Sequence, residues 1–299
     1  MSDIFQAVTP YGFVDIYHQL LFHLIHYGTL EQNQRTGKAI KAHSYGGCSF
    51  TIDLGNNELP VIDRRKTFPA TAAAETAWYV MGTQDPEIML KYARVTWEKF
   101  LEPAYEPPQD ENQVIPLIIK AAYGYRWRKH FDRDQLALAI EALRKNPSDR
   151  RIFISAWDPS EDGLGAAGQM NVPCPVGFTF SIVNGRLNST YLLRSSDVFV
   201  GLPYDVMGHT FLMDAVAASL GIPLGFMTFT LAYPHLYDVH FEMADRFLRT
   251  SPEYYPLMKL LGWTIEKIEL FPNEYVDTVK EQAAHIASPI WCPRPEVVL

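Results

Sequence analysis

Apolar residues recur every three or four positions through VDIYHQLLFHLIHYG, residues 14–28, and the run stops at a glycine. That is the pattern of an amphipathic helix with a glycine stop. ATAAAETAWYVMG (70–82) reads the same way, alanine-rich and glycine-terminated, with one acid, Glu75, among small and apolar neighbours. DRDQLALAIEALRKN (132–146) opens on aspartate and closes on cations, as a helix dipole favours. Further along, the period shortens. RRIFISAW, VGFTFSIV and RLNSTYLL (150–157, 176–183, 186–193) are rich in β-branched and aromatic residues and read as strands. The last two are joined by Asn184-Gly185, a strong hairpin signal. GLPY reads as a turn, after which VMGHTFLMDAVAASLG (206–221) predicts a helix closed by Gly221. PHLYDVHFEMADRFLR (234–249) predicts another, with proline in its first turn. EPAYEPPQDENQV (102–114) is the one long loop, and it carries no sign of a domain boundary. Helices and strands alternate irregularly and without repeats, so the expectation is an α+β fold in a single domain over residues 1–299.

Composition narrows what such a fold would do. Of 299 residues, 47% are hydrophobic and 20% charged, the net charge is −8 and the pI is about 5.6. A general nucleic-acid surface is not expected of so acidic a chain, and any phosphate must meet a local arginine cluster. No apolar run approaches the roughly 18 residues of a membrane span, and MSDIFQAVTPYGF lacks the features of a secretory leader. Cys48, Cys174 and Cys292 are odd in number and far apart, which predicts free thiols in a reducing cytoplasm. Histidines and cysteines lack zinc-ligand spacing, so no metal is expected.

Candidate chemistry starts with Cys174, set between two prolines ahead of a strand. A buried free cysteine is usually a small hydrophobe. As a nucleophile it would need nearby cations, and Arg194 and the pair Arg150-Arg151 are available. The arginine pair suits either a solvated helix terminus or an anion. Arg194-Ser195 offers a guanidinium and a hydroxyl at a strand end, a combination that suits phosphate. Glu75, in apolar surroundings, would have a raised pKa and could move protons near neutrality. His235 and Tyr237 are polar tips at a helix start, where structural hydrogen bonds are the ordinary role.

The order of these residues carries more than any one of them. Arg35 in QRTG, Glu75 before WYVMG, Trp97 in VTWEKF, Tyr123 in AYGYRW and Arg150-Arg151 in NPSDRRIFISAWDP come first. GQMNVPCP around Cys174, RSSDVFVGLPYD and HLYDVH follow. The series resembles the thymidylate synthase family from about residue 29 to about 250. The resemblance implies a mixed sheet covered by helices, two such sheets packing back to back in a homodimer. It implies that Cys174 adds to C6 of a pyrimidine nucleoside monophosphate and that 5,10-methylenetetrahydrofolate provides the carbon. Arg35, Arg194 and Ser195, with Arg150 and Arg151 reaching across from the partner subunit, would hold the phosphate. Glu75 would organise water and proton transfers and Tyr123 would assist C5 deprotonation. His235 and Tyr237 would meet the sugar 3′-hydroxyl, Asp197 would line the folate side, and Trp97 would pack near the pterin.

Four positions depart from the family pattern. Pro175 replaces a histidine, Thr179 a glutamine, Val239 an asparagine, and Asp205 the asparagine that closes RS-x-D-x-F-x-G-L-P-[FY]-N. Uracil presents a donor at N3 and an acceptor at O4, which an amide complements, whereas cytosine reverses both. A carboxylate accepts from N4–H2, and from N3–H if the ring is protonated; a neutral carboxylic acid donates to N3 instead. Against uracil a carboxylate oxygen would face O4, and an unpaired buried polar group costs about 1–3 kcal/mol. Asp205 therefore points to cytosine and to the cytidylate hydroxymethylase branch, in which water adds to the transferred methylene. The other role open to Asp205 is that of N-cap to the helix at 206–221. The tail SPIWCPRPEVVL does not match the synthases' closing tail. Ser195 favours deoxyribose, giving 5-hydroxymethyl-dCMP as the expected product. A CMP hydroxymethylase, a thymidylate synthase or dUMP hydroxymethylase, and an inactive nucleotide-binding relative are the competing readings.

Overall fold

The structure, a computed structural model, describes residues 4–7, 11–33, 37–105, 114–164, 172–251 and 258–286. In chain order the elements begin with β1 (Ile4–Ala7), α1 (Tyr11–Tyr27), β2 (Thr29–Gln32), β3 (Ala39–Ala42) and β4 (Cys48–Asp53). There follow α2 (Pro69–Met81), α3 (Glu87–Tyr92), α4 (Arg94–Trp97), β5 (Glu102–Pro103), β6 (Leu117–Ile118) and α5 (Tyr123–Tyr125). Next come α6 (Gln135–Lys145), β7 (Phe153–Ser155), β8 (Pro175–Val183), β9 (Arg186–Leu193) and β10 (Ser196–Asp197). The chain closes with α7 (Gly201–Leu220), β11 (Leu224–Leu231), β12 (Pro234–Tyr237), α8 (Phe241–Arg249), α9 (Ile265–Leu270) and α10 (Pro272–Ala283). This is an α+β architecture, as the sequence predicts.

A six-stranded mixed sheet in the order β1-β4-β11-β9-β8-β7 forms the centre. β8 and β9 are the predicted hairpin, and Asn184 and Gly185 both take positive φ (52° and 71°), as a two-residue turn of this kind demands. β9 and β11 run parallel, which requires a crossover connection, and α7 provides it. Burial alternates along β4, β8, β9 and β11. One face of the sheet therefore packs under α1, α6 and α7, with α2 lying on α7, and the other is half-exposed. Phe50 on β4 stacks on Phe229 of β11 at 5.5 Å, and Trp127 meets Phe178 of β8 edge-on at 5.0 Å. A second sheet, β10-β12-β3-β2, extends from the end of β9.

Gly82 and Gly221 cap their helices in the left-handed conformation, as expected. Two expectations are corrected. PHLY does not open a helix: it is β12, paired with β10 and β3, and the helix proper starts at Phe241. Tertiary pairing outweighs the proline signal here. GLPY is not a turn but the first turn of α7, where Pro203 sacrifices no intrahelical bond. Asp205 is thus inside the helix and does not cap it. Among the described residues no helix is long and apolar enough to cross a membrane.

Candidate active site

The C-terminal end of β9, the N-terminal end of β8 and the start of α7 converge on one cleft. Cys174 is half-buried immediately before β8. Arg194, just past β9, donates from its backbone to Cys174 O (2.9 Å), from Nε to Pro173 O (2.8 Å) and from Nη2 to Val172 O (3.2 Å). The guanidinium also lies over Trp157 at 5.3 Å. One cation therefore both braces the thiol-bearing segment and puts positive charge beside it.

Glu75 faces this end of the sheet from α2. Trp97 on α4 donates from Nε1 to Glu75 Oε1 at 2.8 Å, and burial pushes the carboxyl up to about 7 despite that bond. Asp205 comes from α7, which packs against α2. Burial raises the Asp205 carboxyl well above its ordinary range, and the negative charges of Glu75 and Asp197 raise it further. Its carboxyl has no hydrogen-bond partner among the described residues. The Tyr123 hydroxyl reaches the Cys174 backbone, and its ring stacks on Tyr79 at 5.4 Å. Glu75, Trp97, Tyr123 and Asp205 line a cleft with about 800 Å³ of open space, together with Arg65 and Lys66.

Behind Asp205 the cleft leads to a smaller chamber lined by Glu75, Tyr79, Tyr123, Tyr191, Asp205 and His209, among others. Burial holds the phenols of Tyr79, Tyr123 and Tyr191 well above 10, so they stay protonated. It drives His209 down to about 3, so that imidazole is neutral; its Nε2 lies 2.7 Å from Ser189 Oγ.

Ser195 sits in the turn between β9 and β10. Asp197 Oδ1 accepts from the backbone N–H of Phe199 (3.0 Å) and Val200 (3.1 Å), which fixes the approach to α7. His235 pairs in register with Asp197 and packs edge-on to Tyr237 at 5.0 Å. His235 Nδ1 lies 3.2 Å from Tyr233 O, while its Nε2 is buried with no hydrogen-bond partner among the described residues. The neighbouring Ser196 Oγ is orphaned in the same way. Orphaned buried polar atoms are uncommon, and a bound ligand is one partner that satisfies them.

A sequence model of the family described as "Thymidylate synthase" matches residues 15–285. The chain belongs to the thymidylate synthase family. Members of that family transfer one-carbon units from methylenetetrahydrofolate to pyrimidine nucleotides, and that class of chemistry is this chain's.

The family motifs fare unequally in the structure. Glu75, Trp97, Tyr123 and Asp205 line one cleft, and Cys174, braced by Arg194, touches Tyr123 at its edge; Ser195 lies in the turn after β9, and Asp197, His235 and Tyr237 lie on β10 and β12. Arg150 and Arg151 are not there. Both are exposed rather than at a buried edge, and Arg151 pairs with Asp149 at 2.9 Å. Arg35, the whole of GQMN (168–171) and the tail from 287 onward, with Cys292, lie outside the described residues. Sequence reasoning missed Arg65, whose buried guanidinium has no hydrogen-bond partner among the described residues and lies over Phe199 at 4.8 Å. It also missed Tyr79, Tyr191 and His209. Tyr79 follows Glu75 by four residues, a spacing that puts both on one helix face and would have revealed it. Elsewhere, Arg126 is buried among Asp158, Glu161 and Asp162. Its guanidinium, 3.1 Å from His130 Nε2, occupies the one place where His130, Asp158 and Glu161 bring their ligand atoms within 4.8 Å.

Proposed function

We infer that the protein is a deoxycytidylate 5-hydroxymethyltransferase, converting dCMP, methylenetetrahydrofolate and water into 5-hydroxymethyl-dCMP and tetrahydrofolate. The observation that carries this reading is Asp205, inside α7, facing the cleft with a carboxyl that no described residue satisfies. A cap would have been satisfied by its own helix. Burial and the negative charges of Glu75 and Asp197 all favour the neutral acid. It can then donate to N3 of cytosine and accept from N4–H2. His235 Nε2, orphaned beside Tyr237, supports a sugar hydroxyl as its missing partner.

The remaining roles follow the positions. Cys174 Sγ adds to C6, and Arg194 holds the loop that carries it while offering its free N–H groups to phosphate alongside Ser195. Tyr123, next to Cys174, assists removal of the C5 proton. The folate provides a carbon at the oxidation level of formaldehyde, with Trp97, a cleft residue, packing near the pterin and Asp197 lining the folate side. Glu75 takes the proton released when water adds to that carbon, a task that requires the ionised carboxylate. With its pKa near 7, kcat/KM should climb with pH and level off above about 7. In Glu75→Gln that limb should vanish, with a loss of about 10²- to 10⁴-fold in turnover. An unchanged pH profile in that variant would assign the base elsewhere.

A homodimer suits the half-exposed sheet face. It carries hydroxyl pairs, Ser49–Thr230 at 3.0 Å and Thr51–Thr228 at 2.9 Å, with Phe226 and Phe153 exposed. A second copy packed back to back would cover it. That arrangement would give the exposed Arg150 and Arg151 a phosphate in the partner's cleft.

A competition assay tests the substrate assignment. Incubated with methylenetetrahydrofolate and equal dCMP, CMP and dUMP, the protein should add CH2O to dCMP, read by mass spectrometry. Addition to CMP would keep the chemistry and change the sugar. Addition of CH2 to dUMP, with dihydrofolate appearing, would overturn the reading of Asp205.

A further inference from the structure

Helix α7 carries a glycine in its interior, three residues after Asp205, where alanine would stabilise the helix. Sterics do not demand it: a methyl group at Gly208 would meet a single atom, Thr76 Oγ1, at an ordinary 3.7 Å. Gly208 is, however, one of the residues that line the chamber behind the cleft. About 20 Å³ of that chamber admits the centre of a water molecule, the room one buried water needs. Its walls give such a water polar partners on several sides, and Asp205, Gly208 and His209 are spaced to share one helix face.

We propose that Gly208 keeps open a site for one water molecule, and that this water determines which oxygen of Asp205 accepts and which donates. The proposal rests on Asp205 as the base reader and explains how a neutral carboxylic acid, which can present its two oxygens either way round, distinguishes cytosine from uracil. The water donates one hydrogen to Glu75 and the other to the Asp205 oxygen on the Glu75 side. It accepts from the buried phenols, which stay protonated. The Asp205 oxygen that receives the water's hydrogen is thereby kept an acceptor and takes N4–H2 with its second lone pair. The proton is left on the other oxygen, facing N3. Uracil needs the reverse arrangement, which would set the acid hydrogen against the water's hydrogen. His209 supports this geometry without contributing charge. Its neutral ring stacks on Tyr191 at 4.3 Å and is fixed through Ser189.

The test uses the full-length protein, Gly208→Ala and Gly208→Ser. High-resolution crystals of the wild type should show an ordered water within hydrogen-bond reach of both Glu75 and Asp205. Gly208→Ala should fold with an equal or higher Tm and lose the water. Its kcat/KM for dCMP should fall about 10-fold, the worth of one buried hydrogen bond, while that for dUMP holds or rises. Gly208→Ser, with a hydroxyl where the water stood, should recover most of the ratio. A dry chamber in the wild type, or an unchanged dCMP-to-dUMP ratio in Gly208→Ala, would overturn the proposal. Wild-type protein that consumes dUMP and ignores dCMP would instead overturn the base assignment, and the crystals would still decide whether the water is there.

Discussion

Cys174→Ala should bind dCMP with nearly unchanged Kd and turn it over at least about 10⁴-fold more slowly, the usual scale for removing a covalent nucleophile. The asymmetry comes from the structure. Alanine removes a sulfur atom and disturbs nothing that shapes the cleft. The segment around it is held by Arg194 through the carbonyls of Val172, Pro173 and Cys174 itself, and these are backbone acceptors that alanine keeps. Phosphate and sugar contacts therefore survive while the bond to C6 cannot form. The measurement is single-turnover product formation beside nucleotide titration by calorimetry. Full turnover in the variant would refute covalent addition. Lost binding as well would mean that the thiol supports the loop and does not only attack.

Asp205→Asn should reverse the base preference. An amide has a fixed donor and a fixed acceptor, and the chamber decides how it lies. With uracil bound its N–H2 turns toward the Glu75 side, where the chamber's water accepts from it instead of donating to an Asp205 oxygen. The amide then offers a donor to O4 and an acceptor to N3–H, the pattern of uracil. Two mismatched groups on cytosine at about 1–3 kcal/mol each amount to a swing of roughly 10² to 10⁴ in the ratio of kcat/KM values. Parallel assays with dCMP and dUMP measure it. Because the variant removes a titrating group and no packing, Tm should change little. A preference for dCMP that survived would sink the pairing argument.

What the sequence made legible was whatever is decided locally. Gly82, Gly221 and the Asn184-Gly185 turn are local backbone requirements, and each took the predicted conformation. The family motifs were legible because their order is specific. PHLY was misread because its strand is created by β10 and β3 pairing on either side, and nothing within those residues announces that. GLPY was misread because glycine and proline are turn formers that the first turn of a helix also tolerates. The inner wall was invisible for another reason. Tyr79, Tyr191 and His209 come from α2, β9 and α7, and a buried tyrosine has the same letter whether it fills a core or faces a cavity. Arg150 and Arg151 show the converse. Their motif was plain, and a single chain leaves them in solvent.

Helix α7 is apolar on nearly every side, its buried residues running from Leu202 to Ala217. Such a helix is enclosed by the protein it runs through, and its backbone opens to solvent only when the whole structure does. Amide hydrogen exchange around residues 205–209 should therefore be among the slowest in the molecule. The residue proposed to choose the base is built into the last part of the protein to come apart. A partly unfolded chain, or one still emerging from the ribosome, has no base preference at all, so selectivity appears in a single step with the native state.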